Sequence, residues 1–280
     1  MAFEPIVFRG QPAIRLAPPS GGACVVALHG AQLLSWQTPD GVERIYLSPE
    51  ARFDGSAAIR GGIPVCWPQF NQRGPLQKHG FARNLPWALE ADPSAEPAGR
   101  VAFTLGASDA TRALWPHAFR VRLAVEIEAD SLCVTLQVLN TGASPWSFAA
   151  ALHTYLRVDD IAEARLEGLE GAQRWDAVRD RKLIETDASL AFGDEFDSVY
   201  AAPQAPLRLV QPRGTLEISQ SASCTETVVW NPGPALSASL ADMPDDGYRH
   251  MLCVEAARID ENILLAPQAQ WEAWQRLTVL

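Results

Sequence analysis

Apolar and polar residues alternate along much of the chain. From Arg120 to Glu128, Val121, Leu123, Val125 and Ile127 point one way, and Arg122, Ala124, Glu126 and Glu128 point the other. After the turn Ala129-Asp130-Ser131, Leu132, Val134, Leu136 and Val138 alternate with Cys133, Thr135 and Gln137. A period of two, broken by a short polar turn, predicts an antiparallel hairpin with one face buried. The same reading predicts strands over 23–28, 33–37, 44–47, 101–105, 147–152, 207–210, 215–219, 225–230, 251–255 and 271–280. Pro39-Asp40-Gly41, Asn140-Thr141-Gly142 and Pro212-Arg213-Gly214 read as turns between them. No long segment carries a capped 3.6-residue period. The expected class is therefore all-β, with a sandwich or barrel-like arrangement. No composition shift and no repeat divides the chain, so one domain over residues 1–280 is expected. The polar stretch 91–99, with its two prolines, reads as an exposed loop.

Two stretches break the alternation. One, 53–87, is dense in Gly, Pro, Arg and His; the other, 185–200, is acidic. Such segments on a rigid β scaffold are where function concentrates.

Composition narrows the choices. With 48% apolar and 20% charged residues, the chain has the make-up of an ordinary globular protein. Its net charge of -10 argues against a nucleic-acid binder, which needs a basic face, but two placed arginines can still hold one small anion. No apolar run reaches the roughly 18 residues of a membrane span, and Met1-Ala2-Phe3-Glu4-Pro5 opens no secretion signal. Cys24, Cys66, Cys133, Cys224 and Cys253 are odd in number and far apart, which suits reduced thiols and a cytoplasmic location.

Several signatures are missing. There is no phosphate loop, no dinucleotide glycine fingerprint and no nucleophile elbow. His29, His79, His117, His153 and His250 show no metal-ligating spacing, and no cofactor is expected. Against that background, Ile59-Arg60-Gly61-Gly62-Ile63-Pro64 stands out as a glycine- and proline-stiffened loop holding an arginine. Lys78-His79-Gly80-Phe81-Ala82-Arg83-Asn84 gathers three potentially charged groups in seven residues. Guanidinium groups suit carboxylate or phosphate.

These runs occur in order with Phe53-Asp54-Gly55, Pro68-Gln69-Phe70, Leu152-His153-Thr154-Tyr155, Asp197-Ser198-Val199-Tyr200, Val229-Trp230-Asn231-Pro232 and Cys253-Val254-Glu255. The ordered set resembles the hexose-6-phosphate mutarotases (glucose-6-phosphate 1-epimerases), a branch of the aldose 1-epimerase superfamily. The resemblance implies a large antiparallel β-supersandwich, galactose mutarotase-like, and a phosphorylated hexose as the small-molecule partner. It implies a catalytic histidine at His153 and a catalytic carboxylate at Glu255. It places sugar and phosphate contacts at Arg60, Arg83 and Asp197, with His79 lining the pocket. Two positions depart from the family pattern. Lys78 stands where relatives often carry Gln, and it offers a cation to an anionic substrate. Ala256-Ala257 follows Glu255 where relatives often carry Pro-Gly, so a different turn is expected there.

Anomer exchange needs a base for the C1 hydroxyl and an acid for the ring oxygen. Under this reading Glu255, expected at the end of a strand, is the base, and a protonated His153 is the acid. No nucleic acid or membrane is expected as partner, and the expected state is a monomer or weak homodimer. A second reading stays open: with nine tryptophans, Trp67, Trp87, Trp230, Trp271 and Trp274 could form the sugar platform of a non-catalytic carbohydrate-binding or regulatory module.

Overall fold

The computed structural model describes residues 3–90 and 99–280. Most of the loop expected at 91–99 lies outside these residues. The described chain forms three antiparallel sheets, of four, eight and nine strands. The first is a meander of Phe3–Phe8, Gln11–Leu16, Ala23–Ala27 and Leu33–Gln37. The second, the site sheet, runs in the order Arg181–Ile184, Gln173–Asp176, Phe196–Ala201, Glu226–Asn231, Met251–Leu265, Trp146–Leu152 and Val65–Cys66. Tyr155–Arg157 also pairs with Met251–Leu265. The third, the back sheet, runs Ser189–Leu190, Arg165–Glu167, Leu207–Gln211, Gly214–Gln220, Gln270–Val279, Ser131–Asn140, Phe119–Glu128, Arg100–Gly106 and Ala88–Leu89.

One apolar cluster joins all three sheets. It takes Ile14, Leu16 and Trp36 from the first, Leu152, Val229 and Val254 from the second, and Val121, Leu123, Val134 and Leu136 from the third. Sheet faces that would be apolar in isolation are covered by one another, and this burial is the main stabilising term. The expected hairpin is present, Phe119–Glu128 pairing with Ser131–Asn140, with Val121, Leu123, Val125 and Ile127 buried.

Four expectations need correction. The segment 44–47 is no strand; it makes only isolated bridges, Ile45 to Leu156 and Leu47 to Gly61. The strand expected over 251–255 is the start of a 15-residue strand, Met251–Leu265. No turn follows Glu255, because Ala256 and Ala257 fit the pleat and pair with Leu152 and Ala151. Finally, the acidic stretch includes a true strand, Phe196–Ala201, which pairs with Gln173–Asp176 and Glu226–Asn231.

Glycines let the 53–87 segment fold tightly against the sheets. Gly62 sits at φ +70, where an added Cβ would stand 2.2 Å from the Leu33 carbonyl oxygen. Gly80, also at φ +70, would place its Cβ 2.2 Å from the Trp67 carbonyl oxygen. That oxygen accepts hydrogen bonds from the Phe81 and Ala82 N–H groups at 3.1 and 3.2 Å. The close approach fixes the turn between Lys78 and Arg83. A left-handed non-glycine residue costs about 1–2 kcal/mol, and at Gly80 the Cβ must displace backbone as well. Gly80→Ala should therefore destabilise the protein by about 2 kcal/mol or more. Gly41, at φ +79 with nothing within 4 Å of a new Cβ, should bear the conformational cost alone. Thermal melts of the two alanine variants check this, and equal shifts would contradict it.

Candidate active site

Adjacent strands of the site sheet bring His153 and Glu255 together. Leu152 pairs with Ala256 and Tyr155 with Cys253, so His153 lies across from Glu255. On its other side, Glu255 faces Val228 in register. The imidazole Nε2 is 3.3 Å from the Glu255 Oε1. Both residues are buried, Glu255 at 1% exposure and His153 at 8%. His153 follows the strand Trp146–Leu152, and its N–H donates to the Pro64 carbonyl at 3.0 Å. Its ring stacks on Tyr155, with centroids 4.8 Å apart and planes within 13°. A rigid strand and a docked loop thus fix the ring.

Burial pushes the two groups towards neutrality from opposite sides. It raises the Glu255 carboxyl well above its ordinary 4.5, with Asp197 adding to the effect. It lowers His153 well below 6.5, with Arg83 and Arg60 adding to the effect. Both shifts disfavour an ion pair and draw the shared proton towards the carboxyl, away from the histidine that the acid role expects to be protonated. His153 Nδ1 and Glu255 Oε2 are buried without a hydrogen-bond partner among the described residues. Two orphaned polar atoms on adjacent residues mark a place where the fold leaves hydrogen-bonding capacity for something else.

The pair lies in a cleft of about 460 Å³ that also takes in Arg60, Lys78, His79, Arg83 and Asp197. All seven expected site residues thus meet in one place. His79 sits at φ +65. Its Nδ1 accepts from the Asn71 N–H at 3.3 Å and lies 3.2 Å from Cys66 Sγ. That leaves the proton on Nε2, and burial holds the ring neutral. Asp197 is raised to about 6, first by burial and then by Glu195. The arginines differ. Arg60 donates from Nε to Asp242 Oδ1 and from Nη1 to the Tyr155 hydroxyl, each at 3.1 Å. Arg83 donates from Nη2 to the Lys78 carbonyl at 2.9 Å, and its buried Nε has no partner. No ion pair is formed by Arg83 or Lys78 among the described residues.

Some cleft residues were not singled out by the sequence. Tyr155 had a signal, since it stands two residues after His153 and so on the same side of an extended chain. Asp242 and Trp175 had none. Asp242 comes from a loop with no pattern, and Trp175 becomes a cleft wall through the position of its strand, with the Arg73 guanidinium 5.0 Å from its ring. The tryptophan platform of the alternative reading does not form. Trp67 and Trp87 are buried in the core, Trp271 and Trp274 lie on the back sheet, and only Trp230 of the five lines the cleft.

His153, Cys253 and Glu255 are the one group among the described residues whose donor atoms could surround a metal, lying within 4.8 Å of one another. A metal there would have to part the His153–Glu255 contact. It would also have to ionise a thiol whose pKa burial pushes well up. The trio suits proton transfer better than metal binding.

An aldose 1-epimerase family model matches residues 12–278. A protein of Escherichia coli strain K12, provisionally named glucose-6-phosphate 1-epimerase, is 40% identical over 246 residues, covering 84% of this chain and 79% of its own. A protein of Cenchrus ciliaris with the same provisional name is 35% identical over 257 residues, covering 88% and 78%. A Salmonella typhimurium crystal structure, provisionally described as a mutarotase, superposes with a TM-score of 0.88 at 33% identity, covering 99% of this chain and 93% of that one. The matched family, the antiparallel sandwich and the seven convergent residues agree, and the chain belongs to the aldose 1-epimerase family.

Proposed function

We propose that the protein interconverts the α and β anomers of a D-hexose 6-phosphate, with glucose 6-phosphate as the reference substrate. The observation that carries this reading is the buried His153–Glu255 contact in a cleft where Lys78 and Arg83 form no ion pair among the described residues. Transfer of the shared proton across the 3.3 Å contact gives the working arrangement, a carboxylate beside an imidazolium. Glu255 takes the proton from the C1 hydroxyl while His153 protonates the ring oxygen and the bond from C1 to that oxygen breaks. The open aldehyde turns about its C1–C2 bond and closes on the other face. Both protons then return, so the pair ends as it began. The substrate supplies no electrons and loses no group.

A phosphate suits Arg83 and Lys78. Arg60 is committed to Asp242 and Tyr155 and holds Tyr155 against the imidazole, with one guanidinium nitrogen left for substrate. Asp197 and His79 line the same cleft and serve the sugar hydroxyls. As a non-catalytic sugar module, the protein would have no use for a buried acid–base pair.

Glu255→Gln and His153→Asn should each lower turnover by about 10²-fold or more, and EDTA should leave wild-type turnover unchanged. A folded variant with near-normal turnover would refute its residue's role. Glu255→Gln should also stabilise the fold. The folded state holds the Glu255 proton, whereas the unfolded chain releases it above about pH 4.5, so rising pH favours unfolding of the wild type. The variant mimics the protonated form. Its melting temperature should exceed that of wild type at pH 8 by at least about 2 °C, and the gap should close towards pH 4.5. A gap that widens on acidification would contradict the buried neutral carboxyl.

Arg83→Ala removes a charge-assisted contact worth about 1.5–3 kcal/mol. The KM for glucose 6-phosphate should rise about 10- to 150-fold with kcat little changed, because the phosphate is remote from C1. Turnover of free glucose should change far less than turnover of glucose 6-phosphate, since Arg83 reaches the acid–base pair only through its charge. Steady-state kinetics on both sugars decide it, and equal losses on the two would remove the phosphate from this site.

A further inference from the structure

The backbone around His153 departs from the regular ladder. The Thr154 N–H turns back to the Leu152 carbonyl at 3.0 Å, and the His153 N–H goes to Pro64. The opposite bond survives, with the Val254 N–H donating to the Thr154 carbonyl at 3.1 Å. In an antiparallel pair that bond has a reciprocal partner, so the Val254 carbonyl has lost its ladder donor. A side chain from the other sheet replaces it. Gln275, on the back-sheet strand Gln270–Val279, is 2% exposed. Its Nε2 donates to the Val254 carbonyl at 2.9 Å, and its Oε1 accepts from the Thr154 hydroxyl. Thr154 directly follows His153, and Val254 directly precedes Glu255.

We propose that Gln275 is a positioning residue for the proton-transfer pair, its single carboxamide tying the Thr154 side chain, next to His153, to the Val254 carbonyl, next to Glu255. The proposal rests on the acid–base reading above. It follows from the geometry that a ladder broken to aim His153 needs a substitute crosslink at that point. The Val254 carbonyl is otherwise a buried acceptor without its donor. Proton transfer is sensitive to small displacements of the participating groups, so loosening this crosslink should slow chemistry before it weakens binding.

Gln220 supplies an internal control. It pairs with Gln275 in the back sheet and also crosses the core, donating to the Cys224 and Glu226 carbonyls at 3.1 and 3.0 Å and accepting from the Thr227 hydroxyl at 2.9 Å. It reaches the neighbouring strand of the site sheet and bonds to no residue next to His153 or Glu255 in the chain.

The experiment compares Gln275→Met, Gln275→Glu, Gln220→Met and His153→Asn in kinetics on glucose 6-phosphate, with melts of each. Gln275→Met should lose about 10-fold or more in kcat with KM within about twofold, while Gln220→Met keeps its kcat. Gln275→Glu keeps both bonds while its carboxyl is protonated and loses the Val254 bond on ionisation, so its kcat relative to wild type should fall as pH rises. A Gln275→Met kcat within about twofold of wild type, or an equal kcat loss in Gln220→Met, overturns the proposal. Should the methionine variant fail to fold, a flat ratio between Gln275→Glu and wild type across pH overturns it. An active His153→Asn would defeat the acid–base reading first, whereas inactive His153→Asn beside normal Gln275→Met defeats the positioning role alone.

Discussion

The rest of the structure is organised around a contact that is costly in isolation. Two titratable groups stand 3.3 Å apart, and Glu255 is almost wholly removed from water. Desolvation disfavours charge on either, and each retains a buried polar atom without a partner. A cooperative fold tolerates such a site only when its surroundings over-determine it. Here the surroundings are a 15-residue strand beneath Glu255, a stacked tyrosine and a docked loop at His153, and a glutamine from the opposite sheet. The apolar cluster shared by the three sheets supplies the stability that this arrangement draws on.

Local and global electrostatics have opposite signs. The chain carries a net charge of -10, yet Arg60, Arg73, Lys78 and Arg83 all line one cleft. Salt at physiological strength screens diffuse charge beyond about 8 Å, so the groups within reach decide what binds. Pairing then separates the four. Arg60 is tied to Asp242 and Arg73 to Asp260, which leaves Arg83 and Lys78 as the cleft cations that no carboxylate among the described residues neutralises. A guanidinium held by one backbone carbonyl, with a buried Nε unused, is pre-organised for an anion.

The alternating strands were legible because one face of each meets the core and the other meets water. Val121 to Ile127 shows this plainly. The site sheet was harder to read, because both of its faces are covered near the cleft. In Met251–Leu265 the first seven residues are all buried, with Val254 facing the core and Glu255 the cleft. The period of two is erased there, and the sequence pattern that marks the strand ends at Glu255. In Phe196–Ala201, Asp197 faces the cleft and Tyr200 the core, so an acidic stretch concealed a strand. The expected site residues were legible through motif order, not spacing, since His153 and Glu255 are remote in sequence. The roles of Asp242 and Gln275 were not legible. Each acts through a contact made only when distant segments meet: Asp242 lies in a loop without a pattern, and the alternation of 271–280 marks Gln275 as strand without showing what it touches.

The central claim is that this buried pair exchanges hexose-phosphate anomers. Magnetisation-transfer NMR on glucose 6-phosphate reads that exchange directly, without a coupling enzyme or a change in composition. The account predicts transfer between the α and β C1 protons well above the buffer rate with wild-type protein, and the buffer rate with an equal concentration of folded His153→Asn. Wild-type exchange no faster than buffer across the common hexose phosphates would contradict it, as would undiminished exchange in the variant.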